Sequence, residues 1–436
     1  MGLFGGLSAD STDEMFNSRS KKIAVLALAL VCAVSAAAQE SRALLEALIR
    51  KGILTNQEAE AISTELVQES KTPKVAVVPG GQSTQRLSLG MRVQMQYAHL
   101  DTDIDGAAFG PAATNRVFLR RMYLTLRAEL SQNWGATVTY DFASAAYDGA
   151  FFNWEASPEL TFSFGLRKVN VAYEERASSG NIRALERSSV TRYFVGSNNG
   201  RRLGAASYRV GAFLDGKTGL SSTLGFVYSA AVTTPERNEN FTLASSAGDG
   251  STNRVALWGS GGITGRFANN GTWVAGVGTG FLPDQGGAGV VNLGRGFDLN
   301  LYSVYLDLNA ARFGFMAEFL AADVEGGVSA TRDATPSGFF VQPSILLTDT
   351  IEAVVRYAWL DSDGRGVNLS DVVRSAPSGG TMNQSTEWYA GANWYLRGND
   401  LKYQLGVVYA KTRETVNGGP AEANAMGVRS QLQVTF

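Results

Sequence analysis

The 436-residue chain has little cysteine and histidine: its only cysteine is Cys32 and its only histidine is His99. Cys32 lies in a predicted leader, so we expect the mature chain to have no disulfide and no cysteine-based metal or catalytic site. With one histidine and no G-x-S-x-G segment, a Ser/His hydrolase has no support. The sequence therefore argues against an enzyme, and we expect no cofactor.

Charge and proline are also scarce. Charged residues make up 18% of the chain, below the roughly 25% of soluble domains. The formal net charge is −2, which provides no basic field for nucleic acid, so we expect no nucleic-acid partner. There are 10 prolines but 49 glycines, and aromatics reach 10%. This composition is typical of many strands joined by turns.

Long apolar runs are missing, and the run Ile23–Val34 is shorter than the roughly 20 residues of a spanning helix. Basic residues precede it, and Ala36-Ala37-Ala38 follows it. This pattern predicts a secretory signal peptide over residues 1–38, cleaved after Ala38. Residues 1–14 precede a second methionine, Met15, and we interpret them as a mis-assigned start. We therefore expect the protein to leave the cytoplasm.

Helical periodicity follows over residues 39–70, where a capping box at Thr55 and Glu58 starts the second of two short helices. These helices are predicted to form either a hairpin packed on itself or on the barrel, or a periplasmic coiled coil that joins subunits. Residues 71–86 have no periodicity and are predicted to be a linker.

The segment GAFLDGKT, residues 211–218, matches the phosphate-loop pattern G-x-x-x-x-G-K-[ST]. That pattern binds nucleotide only between a strand and a helix. Here both flanks alternate with period two, so both are predicted strands. We expect Asp215-Gly216 to form a hairpin turn between them, and the nucleotide interpretation is rejected.

Period-two segments continue to the carboxyl end and predict a sixteen-stranded antiparallel transmembrane β-barrel over residues 87–436. The predicted strands are 87–98, 117–130, 134–142, 150–155, 160–168, 204–214, 220–231, 252–266, 272–282, 297–308, 312–323, 338–347, 351–361, 385–396, 401–412 and 426–436. Connections after even-numbered strands are short, and most others are long. Outer-membrane barrels have short periplasmic turns and long outer loops.

The faces of the strands agree with a lipid-facing exterior and a polar lumen. In 385–396, Trp388, Ala390 and Trp394 share one face, whereas Glu387 and Asn393 share the other. A charge on the lipid face near mid-bilayer costs about 2 to 4 kcal/mol. We therefore expect the barrel to lie in outer-membrane lipid, with the amino-terminal helices in the periplasm.

The carboxyl-terminal strand 428–436 alternates and ends in Phe436, which resembles the signal read by the outer-membrane assembly machinery. Two further stretches, Gly165-Leu166-Arg167-Lys168-Val169 with Leu185-Glu186-Arg187-Ser188, and Trp394-Tyr395-Leu396 with Leu401-Lys402-Tyr403, resemble the phosphate-selective porin O and P family. The chain has Asn170-Val171 where that family usually has Pro-Phe. The resemblance implies a trimeric sixteen-stranded porin whose third outer loop, residues 169–203, folds into the lumen.

Basic residues of that loop and of the wall are the candidate pore and anion-binding residues, because the arginine fork bonds two oxygens at once. They are Arg92, Arg121, Arg127, Arg167, Lys168, Arg176, Arg183, Arg187, Arg209, Arg356, Lys402 and Arg429. Acidic residues also face inward, so the same arginines are alternatively paired with them across strands. The function expected is passive diffusion of small hydrophilic solutes, with a preference for anions such as phosphate.

Two other interpretations stay open. The first is a structural or adhesive barrel, with a plugged lumen and the amino-terminal helices as a tether. The second concerns the acidic stretch Asp101–Asp105 after His99, which is expected to be a loop and has the spacing of calcium ligands without the closing glutamate.

Overall fold

A computed structural model describes residues 86–104, 112–196, 203, 205, 208–235, 254–267, 271–285, 297–374, 381–415 and 422–436. The predicted signal peptide 1–38, the helical segment 39–70 and all but the last residue of the linker 71–86 lie outside these residues and stay predictions. Within the described ranges, no helix is long and apolar enough to cross a membrane.

This part of the chain forms one sheet of antiparallel strand pairs with three short helices. The strands are β1 (Arg86–Ile104), β2 (Ala112–Glu129), β3 (Trp134–Asp141), β4 (Ala146–Ser157), β5 (Leu160–Lys168), β6 (Tyr208–Gly219), β7 (Leu224–Thr233), β8 (Ala256–Arg266), β9 (Thr272–Leu282), β10 (Leu299–Ala310), β11 (Phe313–Ser329), β12 (Arg332–Ala334), β13 (Ser337–Leu346), β14 (Ile351–Asp361), β15 (Val367–Asn368), β16 (Thr381–Arg397), β17 (Leu401–Thr415) and β18 (Glu422–Thr435). The helices are α1 (Tyr173–Arg176), α2 (Ser189–Phe194) and α3 (Leu369–Val373).

The sheet closes into a barrel because β1 pairs with both β2 and β18. The strands β12 and β15 have only 3 and 2 residues and belong to connections. Past them, β11 pairs with β13 and β14 pairs with β16. The wall therefore has sixteen strands, which confirms the predicted fold class.

The alternation of faces follows the sequence closely in β16. Its Trp388 and Trp394 are exposed on the outside, whereas Glu387, Tyr389 and Asn393 are buried inside. Successive side chains of a strand point to opposite faces, so this burial pattern places the apolar face toward lipid and the polar face toward the lumen.

The predicted turn at Asp215-Gly216 is wrong, although both strands beside it are present. The strand β6 continues to Gly219, and Gly216 pairs with Tyr228 on β7. A side chain at Gly216 would meet the Tyr228 ring, so this glycine makes room for an aromatic ring rather than forming a turn. The turn lies at residues 220–223, where the Ser221 hydroxyl accepts hydrogen bonds from two backbone N–H groups.

The predicted acidic loop after residue 98 is also wrong in its described part. The strand β1 extends to Ile104, and Asp101 and Asp103 are exposed while Thr102 and Ile104 are buried. This alternation continues the strand, so His99 is a strand residue too. Asp105 lies outside the described residues, among which no cluster of acidic, histidine or cysteine side chains suits a metal ion.

The barrel has two different ends. Seven short connections lie at one end, which we call the turn end, and the long connections lie at the other, which we call the loop end. The predicted separation of loop lengths is thus present, with the single displaced turn noted above. Pro343 of β13 pairs with Phe315 of β11, but the pairing of β13 with β14 is interrupted at this residue.

The lumen at the loop end is partly filled by protein and differs from the polar lumen expected. The helices α2 and α3 pack their apolar side chains against inward-facing apolar residues of the wall. This cluster includes Val190, Tyr193 and Phe194 of α2, Leu369, Val372 and Val373 of α3, and Leu100, Leu301, Leu320, Phe340 and Leu360 of the wall. Burial of apolar surface stabilises α2 and α3, and the connections that contain them, inside the barrel.

Candidate pore constriction

The described first part of the connection between β5 and β6, residues 169–196, folds into the lumen, and we call it the inner loop. The first two backbone N–H groups of α1 donate to the two carboxylate oxygens of Glu318 on β11, at 2.7 and 3.0 Å. Near α2, the Ser189 N–H donates to Glu387 on β16 at 2.7 Å. Glu318 and Glu387 are almost fully buried, and buried carboxylates need such donors. Acidic residues of the wall therefore fix the inner loop within the lumen.

Two of the predicted pore residues, Lys402 and Arg356, lie buried behind this loop. Lys402 Nζ donates to the carbonyl oxygens of Gly180 and Ile182, at 2.9 and 3.1 Å. Arg356 Nη1 donates to the carbonyl oxygen of Glu186 at 2.8 Å, and its guanidinium pairs with Glu387. Both cations therefore hold the loop instead of facing the lumen.

Arg209 and Arg429 have a similar place. Both are nearly fully buried. Arg209 donates to the carbonyl oxygens of Ala205 and Pro235. Arg429 donates to carbonyl oxygens at the end of α3. Four of the predicted anion-binding residues thus use much of their donor capacity on loop backbone.

Arg187 and Lys168 share one carboxylate. Glu175 lies 3.0 Å from Arg187 Nε and 2.9 Å from Lys168 Nζ. Burial acts to raise the pKa of Glu175, but Arg187 and Lys168 outweigh it and lower that pKa. In the same way, burial opposes the charged form of Arg187, and Glu175 raises its pKa. The Glu175 carboxylate therefore offsets part of the positive charge of these two cations inside the protein.

Arg183 and Arg176 face the side of the lumen that carries Asp307. Arg183 lies 3.1 Å from a Glu352 carboxylate oxygen and 3.8 Å from that of Asp307. Arg176 lies 4.4 Å from the centre of the Tyr173 ring, which stacks on Tyr305. Both residues are partly exposed, and within the part of the chain that the structure describes, Arg183 is the one of the two that forms ion pairs.

Arg92, Arg127 and Arg167 lie on β1, β2 and β5 and are at least partly exposed. Arg167 pairs with Asp215 at 2.6 Å, and Arg92 donates to the Ser179 hydroxyl at 3.2 Å. Across the ranges that the structure covers, the exposed Arg127 has no side-chain hydrogen bond or ion pair.

Four arginines lie around Glu186 of the inner loop, and we call Arg120, Arg121, Arg374 and Arg429 the arginine cluster. Arg120 holds the carboxylate with two bonds, Nε to Oε1 at 2.6 Å and Nη2 to Oε2 at 3.0 Å. Arg374 and Arg429 lie 3.8 and 4.0 Å from Oε1. Burial acts to raise the pKa of Glu186, but Arg120 and Arg374 outweigh it and hold that pKa well below its ordinary value.

Arg120 and Arg374 were not among the candidate residues predicted from the sequence. Strict alternation would place Arg120 on the lipid face beside Met122. The pairing of β1 with β2 shifts between Gln94 and Met95, opposite Arg121 and Leu119. This bulge adds one residue to β2 and turns Arg120 inward as well. The pair Arg120-Arg121 was itself a signal, since one of two adjacent arginines in a regular membrane strand would face lipid.

Space remains on the turn side of the inner loop. One cavity of about 450 Å³ is lined by Tyr173, Asp307, Asn309 and the 221–225 turn. A second, of about 270 Å³, is lined by Tyr173, Arg176, Arg183 and Asp307. Tyr173 of α1 and Asp307 of β10 line both cavities.

The predicted assembly residue Phe436 follows β18. Its backbone exchanges two hydrogen bonds with Met91 of β1, at 2.7 and 3.0 Å, and its side chain is exposed. The terminal residue thus extends the seam at which the barrel closes, and its role in assembly stays a prediction.

Comparison with known proteins supports the resemblance drawn from the sequence. The sequence profile described as phosphate-selective porin O and P matches residues 88–436. No curated protein sequence matches the chain significantly. Among solved structures, the fold is similar to an anion-selective porin from Comamonas acidovorans, with 10% identity, 80% of this chain and 99% of the other covered, and a TM-score of 0.52. The outer membrane channel DcaP of Acinetobacter baumannii matches with 13% identity, 80% and 97% coverage, and a TM-score of 0.48.

The profile covers the wall of the barrel except the first two residues of β1, and it covers the inner loop, including both quoted stretches. A closed barrel of sixteen strands with a polar constriction is the architecture of a channel for small solutes in the bacterial outer membrane. The chain belongs to the phosphate-selective porin O and P family.

Proposed function

We propose that the channel passes small anions in preference to cations, and that phosphate-like oxyanions contact the arginine cluster on their way. The observation that supports this proposal is the local imbalance of charge. Four arginines surround the single carboxylate of Glu186, whereas most of the other inward cations in the described ranges have carboxylates or carbonyl oxygens as partners. Charged rings at a constriction set ion selectivity.

Exposure singles out Arg374 within the cluster. Its side chain is 37% exposed, against 11% for Arg120 and 4% for Arg429. An incoming anion would therefore meet Arg374 before the buried members. Arginine binds oxyanions through its planar fork, so oxyanions gain more from this residue than chloride does.

The test is a reversal potential in planar bilayers under a KCl gradient, for wild type and for Arg374→Gln. We expect anion preference in the wild type and a loss of roughly threefold in the anion-to-cation permeability ratio in the variant. Arg312→Gln is the matched control, because Arg312 pairs with Asp349 at the turn end and is 57% exposed. Cation preference in the wild type would refute the proposal.

The choice of cluster over the other arginines has its own test. Arg167→Ala removes a cation already neutralised by Asp215, so we expect a smaller change in selectivity than for Arg374→Gln. If the ranking is reversed, the path of the anion follows β5 rather than the cluster.

We also propose that the barrel assembles as a homotrimer. The support is the family membership, because the resemblance to this family implies a trimeric porin. Cross-linking in detergent, followed by mass measurement, should give three subunits, and a monomer under the same conditions would contradict this proposal.

A further inference from the structure

Glu186 is the one inner-loop carboxylate that lies inside the arginine cluster. Its oxygens take both bonds of the Arg120 fork, and Gln96 Nε2 donates to Oε1 at 3.1 Å. This two-oxygen arrangement is the one that arginine offers to phosphate as well. Glu186 therefore occupies the position that an oxyanion solute would take.

The cluster keeps attraction for a further anion despite this carboxylate. Arg429 is 3% exposed, and its Nη1 has no hydrogen-bond partner within the described ranges. It lies 4.0 Å from Glu186 Oε1, beyond hydrogen-bonding distance. Burial lowers the pKa of Arg374 to about 9, with Glu186 acting in the opposite direction and Arg120 adding to the decrease. One carboxylate thus leaves the cluster with excess positive charge.

Resting on the proposed function, we propose that Glu186 is a built-in counter-anion with which a divalent oxyanion exchanges as it passes. The Glu186 carboxylate holds the cluster together when no solute is present. An oxyanion with two or more free oxygens, such as inorganic phosphate, replaces it at the Arg120 fork. No covalent bond forms or breaks.

The physical purpose of such a group is to weaken binding. Four converging arginines without a carboxylate would hold a phosphate tightly, and a channel needs sites that release their ions. A solute that binds Arg120 must first displace Glu186, so the free energy of the Glu186–Arg120 interaction is subtracted from the free energy of solute binding. It also discriminates by shape, since chloride cannot use both N–H groups of the fork.

The experiment measures how phosphate inhibits chloride current through single channels of the full-length protein, in wild type and in Glu186→Gln. Removing the competing charge should lower the half-inhibiting phosphate concentration by about tenfold or more. Glu155→Gln is the matched control: it neutralises an exposed carboxylate with no ion-pair partner within the described ranges, on β4. We expect little change from it.

Glu186→Asp provides a second variant that keeps the charge, should the glutamine variant fail to insert. The shorter side chain cannot keep both bonds to Arg120. The half-inhibiting phosphate concentration should therefore lie below that of the wild type but above that of Glu186→Gln. An unchanged or higher half-inhibiting concentration in these inserted variants would overturn the counter-anion proposal. Cation preference in the wild type would instead refute the proposed function itself.

Discussion

A glycine on the inner face of β9 determines how closely the inner loop can approach the wall. A Cβ built at Gly278 would lie 2.1 Å from the carbonyl oxygen of Val171 and 3.0 Å from its carbonyl carbon. An ordinary contact begins at 3.4 Å, so the loop would have to move by about 1.3 Å. The neighbouring N–H of Tyr173, two residues on, bonds Glu318 at 2.7 Å, and a shift of that size along the bond would break it.

We therefore predict that Gly278→Ala lowers the free energy of unfolding by about 1 to 3 kcal/mol, the usual cost of overpacking. Single-channel conductance should change at the same time, because the displaced segment borders the constriction. Urea unfolding in detergent, followed by tryptophan fluorescence, gives the first quantity, and planar bilayers give the second.

Gly259→Ala on the adjacent strand β8 is the control. The nearest atom to its added Cβ is Thr279 Cγ2 at 3.9 Å, which is ordinary contact. Replacing a glycine by alanine without strain stabilises a protein by about 0.4 to 1 kcal/mol, because it lowers the conformational entropy of the unfolded chain. This variant should therefore be as stable as the wild type or more stable. Equal stability and conductance of the two variants would refute the close packing of the inner loop on β9.

Three further predictions concern the ion pairs of Glu387 and Glu186. Arg356→Met leaves Glu387 buried without its ion-pair partner and should cost about 3 to 5 kcal/mol in urea unfolding, whereas Arg312→Met at an exposed pair should cost no more than about 1 kcal/mol. Deleting Arg120 removes the bulge of β2 and should preserve the folded yield. Phosphate inhibition of the current should change, because Glu186 loses the guanidinium that holds both of its oxygens. Loss of folding would show that the bulge is needed for the barrel. The pKa of Glu186 in the folded protein is well below its ordinary value of 4.5. Its ion pairs are therefore fully present above pH 4.5 and disappear as the pH falls through the folded-state pKa. Selectivity should be constant from about pH 7 to pH 5 and change only in stronger acid, and a transition near neutral pH would contradict this assignment.

The wall could be predicted from the sequence because its signal is local. Alternation of apolar and polar residues needs only one strand, and sixteen segments contain it. The turn at 220–223 was misplaced because Asp215-Gly216 has the composition of a turn, while the reason for Gly216 is the ring of Tyr228 on the next strand. A glycine selected by a neighbour across the sheet cannot be separated from a turn glycine by local pattern.

The partners of the basic residues could not be predicted in the same way. Lys402 bonds the Gly180 carbonyl oxygen across 222 positions of sequence, and Arg356 bonds that of Glu186 across 170. These pairs depend on where the inner loop rests in the closed barrel. A glycine on the inner face of a strand is compatible either with free space or with the close approach of a loop, and the contact of Gly278 with Val171 supports the second at that position.

The same arrangement separates two consequences of removing a positive charge from this lumen. Lys402 and Arg356 are buried, and each bonds inner-loop backbone, so their removal exposes unpaired groups inside the protein and changes stability. Arg374 is partly exposed and, within the described ranges, its ion-pair partner is Glu186, so its removal changes the field met by a passing ion. If substitutions of Lys402 and Arg374 are compared by urea unfolding and by reversal potential, each should alter mainly one of the two quantities. A Lys402 variant that folds with wild-type stability but loses anion preference would show that the ion passes behind the inner loop.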